Sequence, residues 1–246
     1  MRSRNQTAEW IRNLGSTPVS VFPALETSVV RTDELQKRTD VYGQMLNDSD
    51  DMSLDECLVP SEDQCEIVNR IRKTKDKSEA ALMRRSLLPE ICISATITSR
   101  IRGISEERRI INYNPIVVLD VEDVQDAEGA KQLLSTLEFV FYAGLNTFGT
   151  GLDVMIPVEA KHWREHGKYF QAAKAAVEAL GFKVGSNGES ATSTIYQSFD
   201  KAPYRNNNCR VFRLPDKWNA NGMKQDVTIY QAIPGNRFIM RAVVFS

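Results

Sequence analysis

The run Ile116-Val117-Val118-Leu119-Asp120-Val121-Glu122 constrains this chain more than any other segment. Its near-continuous apolar character predicts a strand covered on both faces, so structural layers must lie above and below it. The elements after this strand come in a definite order. Asp126 can cap a helix reaching about Leu137, with Ala130, Leu133, Leu134 and Leu137 on one face. Phe139 to Leu145 reads as a strand, Asn146 to Gly151 as a glycine-bearing turn, and Leu152 to Val158 as a second strand. A helix from about Lys161 to Leu180 ends at Gly181, with Phe170, Ala173, Val177 and Leu180 turned inward. Short strands are predicted at Ile195 to Phe199 and Cys209 to Leu214. The succession β-α-β-β-α-β is the split βαβ, ferredoxin-like arrangement, which places the chain in the α/β class, of α+β type.

The preceding region is less regular. Val19 to Phe22 predicts a strand, Ile67 to Leu88 a helix that stops before Pro89, and Ile91 to Thr98 an alternating β-branched strand. The organisation expected is an N-terminal α/β part over residues 1–110 and a ferredoxin/RRM-like module over 111–246. The apolar run Phe238 to Phe245 reads as a terminal strand or a domain boundary.

With 246 residues, 42% hydrophobic and 26% charged, the chain can bury a real core and is neither disordered nor a charged tail. No run approaches the roughly 18 apolar residues of a membrane span, and no apolar stretch succeeds Met1 as in a signal peptide, so a soluble cytoplasmic protein is expected. Cys57, Cys65, Cys92 and Cys209 form no CxxC pair, which points to reduced, mostly buried thiols rather than a cysteine zinc site.

A net charge of −1 conceals an uneven distribution. Eight acids and no base lie between Asp48 and Glu66, and residues 47–66 read as a solvated acidic loop. The sign then reverses: Arg70, Arg72, Lys73, Lys75, Lys77, Arg84 and Arg85 are succeeded by Arg100, Arg102, Arg108 and Arg109. Such a stripe is either a phosphate-neutralising surface or a solvated helix face.

Asp120 and Glu122 stand two apart at the end of the apolar strand. Alternation puts them on one face, about 7 Å apart along the backbone, where they can converge on hard cations. Paired carboxylates of this kind serve phosphoryl transfer through two divalent ions, while the plain alternative is an exposed strand end. Thr147-Phe148-Gly149-Thr150-Gly151 can bring backbone close to a phosphate or can simply turn the chain. No GxxxxGK[ST] is present, which excludes a P-loop ATPase. His162-Trp163-Arg164-Glu165-His166 matches H-x-x-E-H and offers a distant alternative, a zinc hydrolase with both histidines on one helix face and Glu165 as base.

Taken in order, Val19-Ser20-Val21-Phe22, Leu88-Pro89-Glu90-Ile91, Pro115 to Glu122, and Thr147-Phe148-Gly149-Thr150-Gly151-Leu152 resemble the archaeo-eukaryotic primase superfamily. The likeness is strongest to the primase-like domain at the head of bacterial and phage replication proteins that carry virulence-associated-E-type helicases. Ile195 to Asn206 is similar to that family's closing segment. The resemblance implies template-directed nucleotidyl transfer on DNA with Mg²⁺ or Mn²⁺, with nucleoside triphosphates as substrates and a replicative helicase in cis or in trans. Asp120 and Glu122 would be metal ligands, matching D-x-[DE], and Thr147, Gly149 and Gly151 would match the S-x-G-x-G nucleotide turn. Arg70, Arg72, Lys73, Arg100, Arg102, Arg205 and Arg210 are candidates for holding the nucleic acid.

The sequence departs from the family at three places. Asp153 stands where His or Lys is usual, Phe182-Lys183-Val184-Gly185 offers no third carboxylate, and Ser193-Thr194-Ile195 lacks the expected arginine. These departures leave two expectations. Either Asp153 or Asp200 completes the catalytic set, or the domain is a catalytically degenerate module that binds nucleic acid or a nucleotide.

Overall fold

A computed structural model describes residues 9–24, 49–101 and 103–214, together with the backbone of the hairpin 226–233 and 236–243. The fold is mixed α and β, with antiparallel sheets. The principal sheet has the order β11-β7-β8-β6-β9, from Tyr204–Arg205, Tyr142–Leu145, Leu152–Pro157, Ile116–Glu122 and Lys183–Val184. Helix α5 (Ala127–Leu134) comes after β6, and helix α6 (His166–Glu178) after β8. A β-α-β-β-α-β succession is therefore present, with the first strand between the third and the fourth, but its fourth strand is Lys183–Val184, whereas the strand expected at Ile195 to Phe199 forms only at Ile195–Tyr196 and joins the other sheet.

Strand β6 is apolar on both sides because both sides are covered. Val117, Leu119 and Val121 pack with Leu134, Phe170, Ala173 and Val177 of the two helices. Ile116 and Val118 share a second cluster with Val19, Leu54, Ile91, Ile93 and Met155. Alternation then puts Asp120 and Glu122 on this second face, toward the N-terminal part.

That part supplies a four-stranded sheet of order β10-β3-β1-β2: Ile195–Tyr196, Glu90–Cys92, Pro18–Phe22 and Asp50–Ser53. Strand β10 comes from far along the chain, so the two halves share a sheet. A small pair, β4 (Ala95–Ile97) with β5 (Ile110–Tyr113), stands beside it, and the short helix α4 (Glu106–Arg109) leads into β5. The single strand expected over Ile91 to Thr98 is thus split between two sheets. At Cys209 to Leu214, where a strand was expected, the chain forms only a bridge from Phe212 to Val158. The hairpin strands Asp226–Ile233 and Asn236–Val243 include most of the expected terminal strand.

Within its described residues the acidic stretch is ordered, contrary to the loop expected there. It holds β2, helix α1 (Leu54–Leu58) and the start of helix α2 (Glu62–Lys73). Ser53 and Ser61 form capping boxes with Glu56 and Gln64. Asp55, Glu56, Glu62 and Asp63 fall in the two first turns, where the helix dipole favours negative charge. The expected helix Ile67 to Leu88 is two helices, because Asp76 accepts from the Ser78 and Glu79 amides and starts helix α3 (Lys77–Leu87) afresh. All four cysteines are free, and burial pushes the thiols of Cys57, Cys92 and Cys209 up to about 12. Among the described residues no helix is long and apolar enough to cross a membrane.

Candidate functional site

Strands β6 and β8 are paired in a register that sets Asp120 directly opposite Asp153. Both side chains face the N-terminal part and line a cleft of about 740 Å³. The facing wall belongs to helix α3, whose Ala81, Arg84 and Arg85 lie at helical spacing on one face. Glu90 and Arg100 come from the N-terminal sheet and its margin, Thr194 and Tyr196 from the β10 region, and Asn146, Thr147 and Phe148 from the β7–β8 turn. One wall is therefore acidic and the other basic.

The acidic pair is electrostatically loaded. Burial, and then the neighbouring charge of Asp120, push the Asp153 carboxyl up to about 8. Burial and the charge of Glu122 raise Asp120 as well, opposed by a hydrogen bond from Asn146 and by the charge of Arg84. Neither aspartate is in an ion pair among the described residues. Two adjacent carboxylates without a basic partner favour either a shared proton or a bound cation.

The remaining carboxylates are placed otherwise. Glu122 lies one strand step beyond Asp120, but Lys183 Nζ sits 2.6 Å from it and 3.1 Å from Asp123. Gly185 packs beside both strand acids: its amide donates to the Asp120 carbonyl at 2.9 Å, and a Cβ there would stand 2.8 Å from Glu122 Oε1. Asp200 is away from the cleft. It pairs with Lys131 at 3.1 Å and accepts from the amides of Leu145 and Ala202, both at 3.0 Å. Burial opposes its charge, yet these donors outweigh burial and hold its carboxyl below the usual range. Asp200 is a structural clamp. Of the two candidates for a further carboxylate, the fold brings only Asp153 to Asp120.

The glycine turn closes the β7–β8 hairpin. Gly149 has φ +70°, a left-handed conformation suited to glycine, and a Cβ at Gly151 would collide with the Val121 carbonyl. Asn146 uses the amides of Phe148 and Gly149 internally, at 3.2 Å and 3.0 Å. What the turn offers the cleft is Asn146, which hydrogen-bonds Asp120, Thr147, which is buried, and the Phe148 ring.

The arginines divide by commitment. Arg72 points inward, donating to the carbonyls of Asn146 at 2.9 Å and Phe199 at 2.7 Å and to Ser198 Oγ at 3.1 Å, so it fixes the turn to the later chain. Arg100 is paired with Glu90 at 3.2 Å inside the cleft. Arg205 pairs with Asp55 at 2.7 Å and Arg210 with Glu138 at 2.8 Å, both away from the cleft. Arg70 and Lys73 are exposed on helix α2, and Arg102 lies outside the described residues.

The H-x-x-E-H reading is corrected by the structure. The helix begins only at His166, while His162 is extended, at φ −145° and ψ 146°, and caps the short turn Trp163–Glu165. The i, i+4 face is never formed. His166 is buried with both ring nitrogens occupied, by Tyr113 Oη and the Gly188 carbonyl, each at 3.0 Å. Among the described residues no group of three His, Cys, Asp or Glu side chains is placed to hold a metal ion.

The sequence offers Arg84 only as one member of the basic stripe, and it does not mark Phe148 or Tyr196 as functional candidates. Helical spacing groups Ala81, Arg84 and Arg85, but nothing in the sequence shows which sheet that face meets.

Residues 83–204 match the family described as BT4734-like, N-terminal domain. No curated protein and no solved structure gives a significant match to the chain. The matched segment contains every residue lining the cleft except Ala81.

Proposed function

We propose that this chain is a primase-polymerase-like replication domain that carries out divalent-cation-dependent, template-directed nucleotidyl transfer on DNA. The observation that carries this reading is the cross-strand pair Asp120 and Asp153, set in a nucleotide-sized cleft against a wall of arginine. Two carboxylates fit Mg²⁺ or Mn²⁺, because Mg²⁺ is commonly held by one or two carboxylates and completed by substrate phosphates and water. A bound ion would supply charge stabilisation to the attacking and leaving oxygens. Asp120 and Asp153 would hold it, and Asn146 would orient Asp120. The arginine wall would take the phosphates, and exposed Arg70 and Lys73 would lie along the template. A replicative helicase acting with the domain belongs to this reading.

The test is incorporation of labelled nucleotides on a primed and an unprimed DNA template, in Mg²⁺ and in Mn²⁺. Wild type should extend, and Asp120→Ala should lose at least about 100-fold, the scale of a group acting in the transition state. No incorporation by the wild-type chain under any of these conditions would overturn the reading.

A second reading has its own support. Lys183 pairs with Glu122 and Arg100 with Glu90, which leaves Asp120 and Asp153 as the carboxylates of the cleft without an ion pair among the described residues and favours a module that binds nucleotide or DNA without turnover. Salt-sensitive DNA binding without incorporation selects it.

A further inference from the structure

Arg84 differs from the other arginines lining the cleft, Arg85 and Arg100, in that two aromatic rings hold it at once. Its guanidinium carbon lies 4.3 Å from the centre of the Phe148 ring and 4.6 Å from that of Tyr196. Its Nε is buried without a hydrogen-bond partner. Among the described residues it has no ion pair, whereas Arg100 in the same cleft is held by Glu90. Its charge nevertheless reaches the acidic pair and lowers the proton affinity of both Asp120 and Asp153.

A guanidinium held by aromatic rings loses its conformational freedom while its donors remain unspent. That is a pre-organised fork for bidentate contact with phosphate oxygens. The two rings come from different elements, the β7–β8 turn and strand β10, so the fork's position is set by the fold as well as by helix α3. Because both rings are engaged by Arg84, they are poorly placed to stack a base, and the ligand expected here is a phosphate chain. A bare phosphate would be repelled by the acidic wall, whereas a phosphate chain carrying a divalent cation complements both walls and is long enough to reach from the aspartates to Arg84.

We infer that Arg84, clamped between Phe148 and Tyr196, is the positioning residue for the triphosphate of a nucleoside triphosphate bound beside Asp120 and Asp153. This rests on the proposal that the cleft is a nucleotide site, and it adds which residue selects triphosphate over monophosphate.

The experiment is displacement of a fluorescent ATP analogue from the full chain in Mn²⁺ by ATP, AMP and inorganic tripolyphosphate. Wild type should favour ATP and tripolyphosphate over AMP. Arg84→Ala should weaken ATP and tripolyphosphate by about tenfold or more, the loss expected for charge-assisted hydrogen bonds, with little change for AMP. Arg84→Lys should not restore them, since an ammonium lacks the planar fork. Phe148→Leu should produce a part of the same triphosphate-specific loss, which keeps the test open if an Arg84 variant is unstable. Arg164→Ala, whose arginine pairs with Glu107 on the surface, should match wild type.

Unchanged ATP affinity in Arg84→Ala and Arg84→Lys chains with wild-type unfolding midpoints would overturn the inference, as would an equal loss for AMP. Arg84-dependent ATP binding without any incorporation would sink the polymerase reading and leave this one standing. Incorporation with Arg84-independent binding would do the reverse.

Discussion

Two buried aspartates on either side of strand β7 show how the same side chain is put to opposite uses. Asp200 is surrounded by donors, with Lys131 at 3.1 Å and two backbone amides. Asp153 has an acid opposite it and arginine only at a distance. Lys131 also donates to the Ala202 carbonyl at 2.6 Å, so the first arrangement ties helix α5 to the chain after β10. The second leaves two carboxyls in a cleft to share a proton or a cation. A protein keeps an arrangement of the second kind at a cost in stability, and such a cost is characteristic of binding and catalytic sites. A buried acid is therefore informative only together with its partners.

The contrast is broken most directly at the clamp. Lys131→Met should strand Asp200 as an uncompensated buried charge and destabilise the fold by about 3–5 kcal/mol, read as a lower midpoint in denaturant unfolding. A variant with wild-type stability would mean that the clamp is not structural.

The next largest effect has opposite signs at the two aspartates. Asp153 binds its proton more tightly folded than unfolded, so wild type is increasingly destabilised as pH rises from about 4 toward 8. Asp153→Asn should then be more stable than wild type at pH 8, by on the order of a few kcal/mol, with the gap closing toward pH 4. Asp200 is shifted the other way. Its contribution is present above the ordinary carboxylate range and is lost as pH falls through its depressed value, so Asp200→Asn should be destabilised at neutral pH. Thermal unfolding of the three chains from pH 8 down to below the ordinary carboxylate range checks both signs: only Asp153→Asn should alter the slope above pH 4, and the deficit of Asp200→Asn should close only below it.

The smallest effect sharpens the comparison. Lys183 is exposed and screened, so Lys183→Met should leave the unfolding midpoint unchanged. It should free Glu122 to join the acidic pair and tighten Mn²⁺ binding by titration. Unaltered affinity would show that Glu122 does not reach the site.

The catalytic-looking half of this contrast is more legible in the sequence than its surroundings. The run Ile116 to Glu122 announces a strand covered on both faces, and its order with the later elements yields the module as far as the long helix, while its two-residue last strand, Lys183–Val184, is too short to leave a pattern. Local signals also exist where sequence and structure disagree. Ser53-x-x-Glu56 and Ser61-x-x-Gln64 are capping boxes, and charge density obscures them in a stretch that reads as solvated loop. Asp76, a helix cap, divides what apolar spacing alone reads as one helix. The histidine spacing fails for a similar reason, since the helix starts at His166 rather than near Lys161. Arg84 is different in kind. Its role depends on Phe148 and Tyr196, which are 64 and 112 positions away, and no local pattern encodes contacts at that separation. The acid pair is intermediate: β6 and β8 are each readable, whereas the register that brings Asp153 across from Asp120 belongs to the sheet.

The inward reach of Arg72 bears on how the protein can be trimmed. A fragment cut to residues 83–204 would keep almost the whole cleft lining while losing the guanidinium that laces the hairpin tip to Phe199, along with the strand Pro18–Phe22 that flanks Glu90–Cys92. The stretch recognisable by likeness is thus smaller than the stretch that must fold together, and cloning boundaries drawn around the former would remove the scaffolding of the latter.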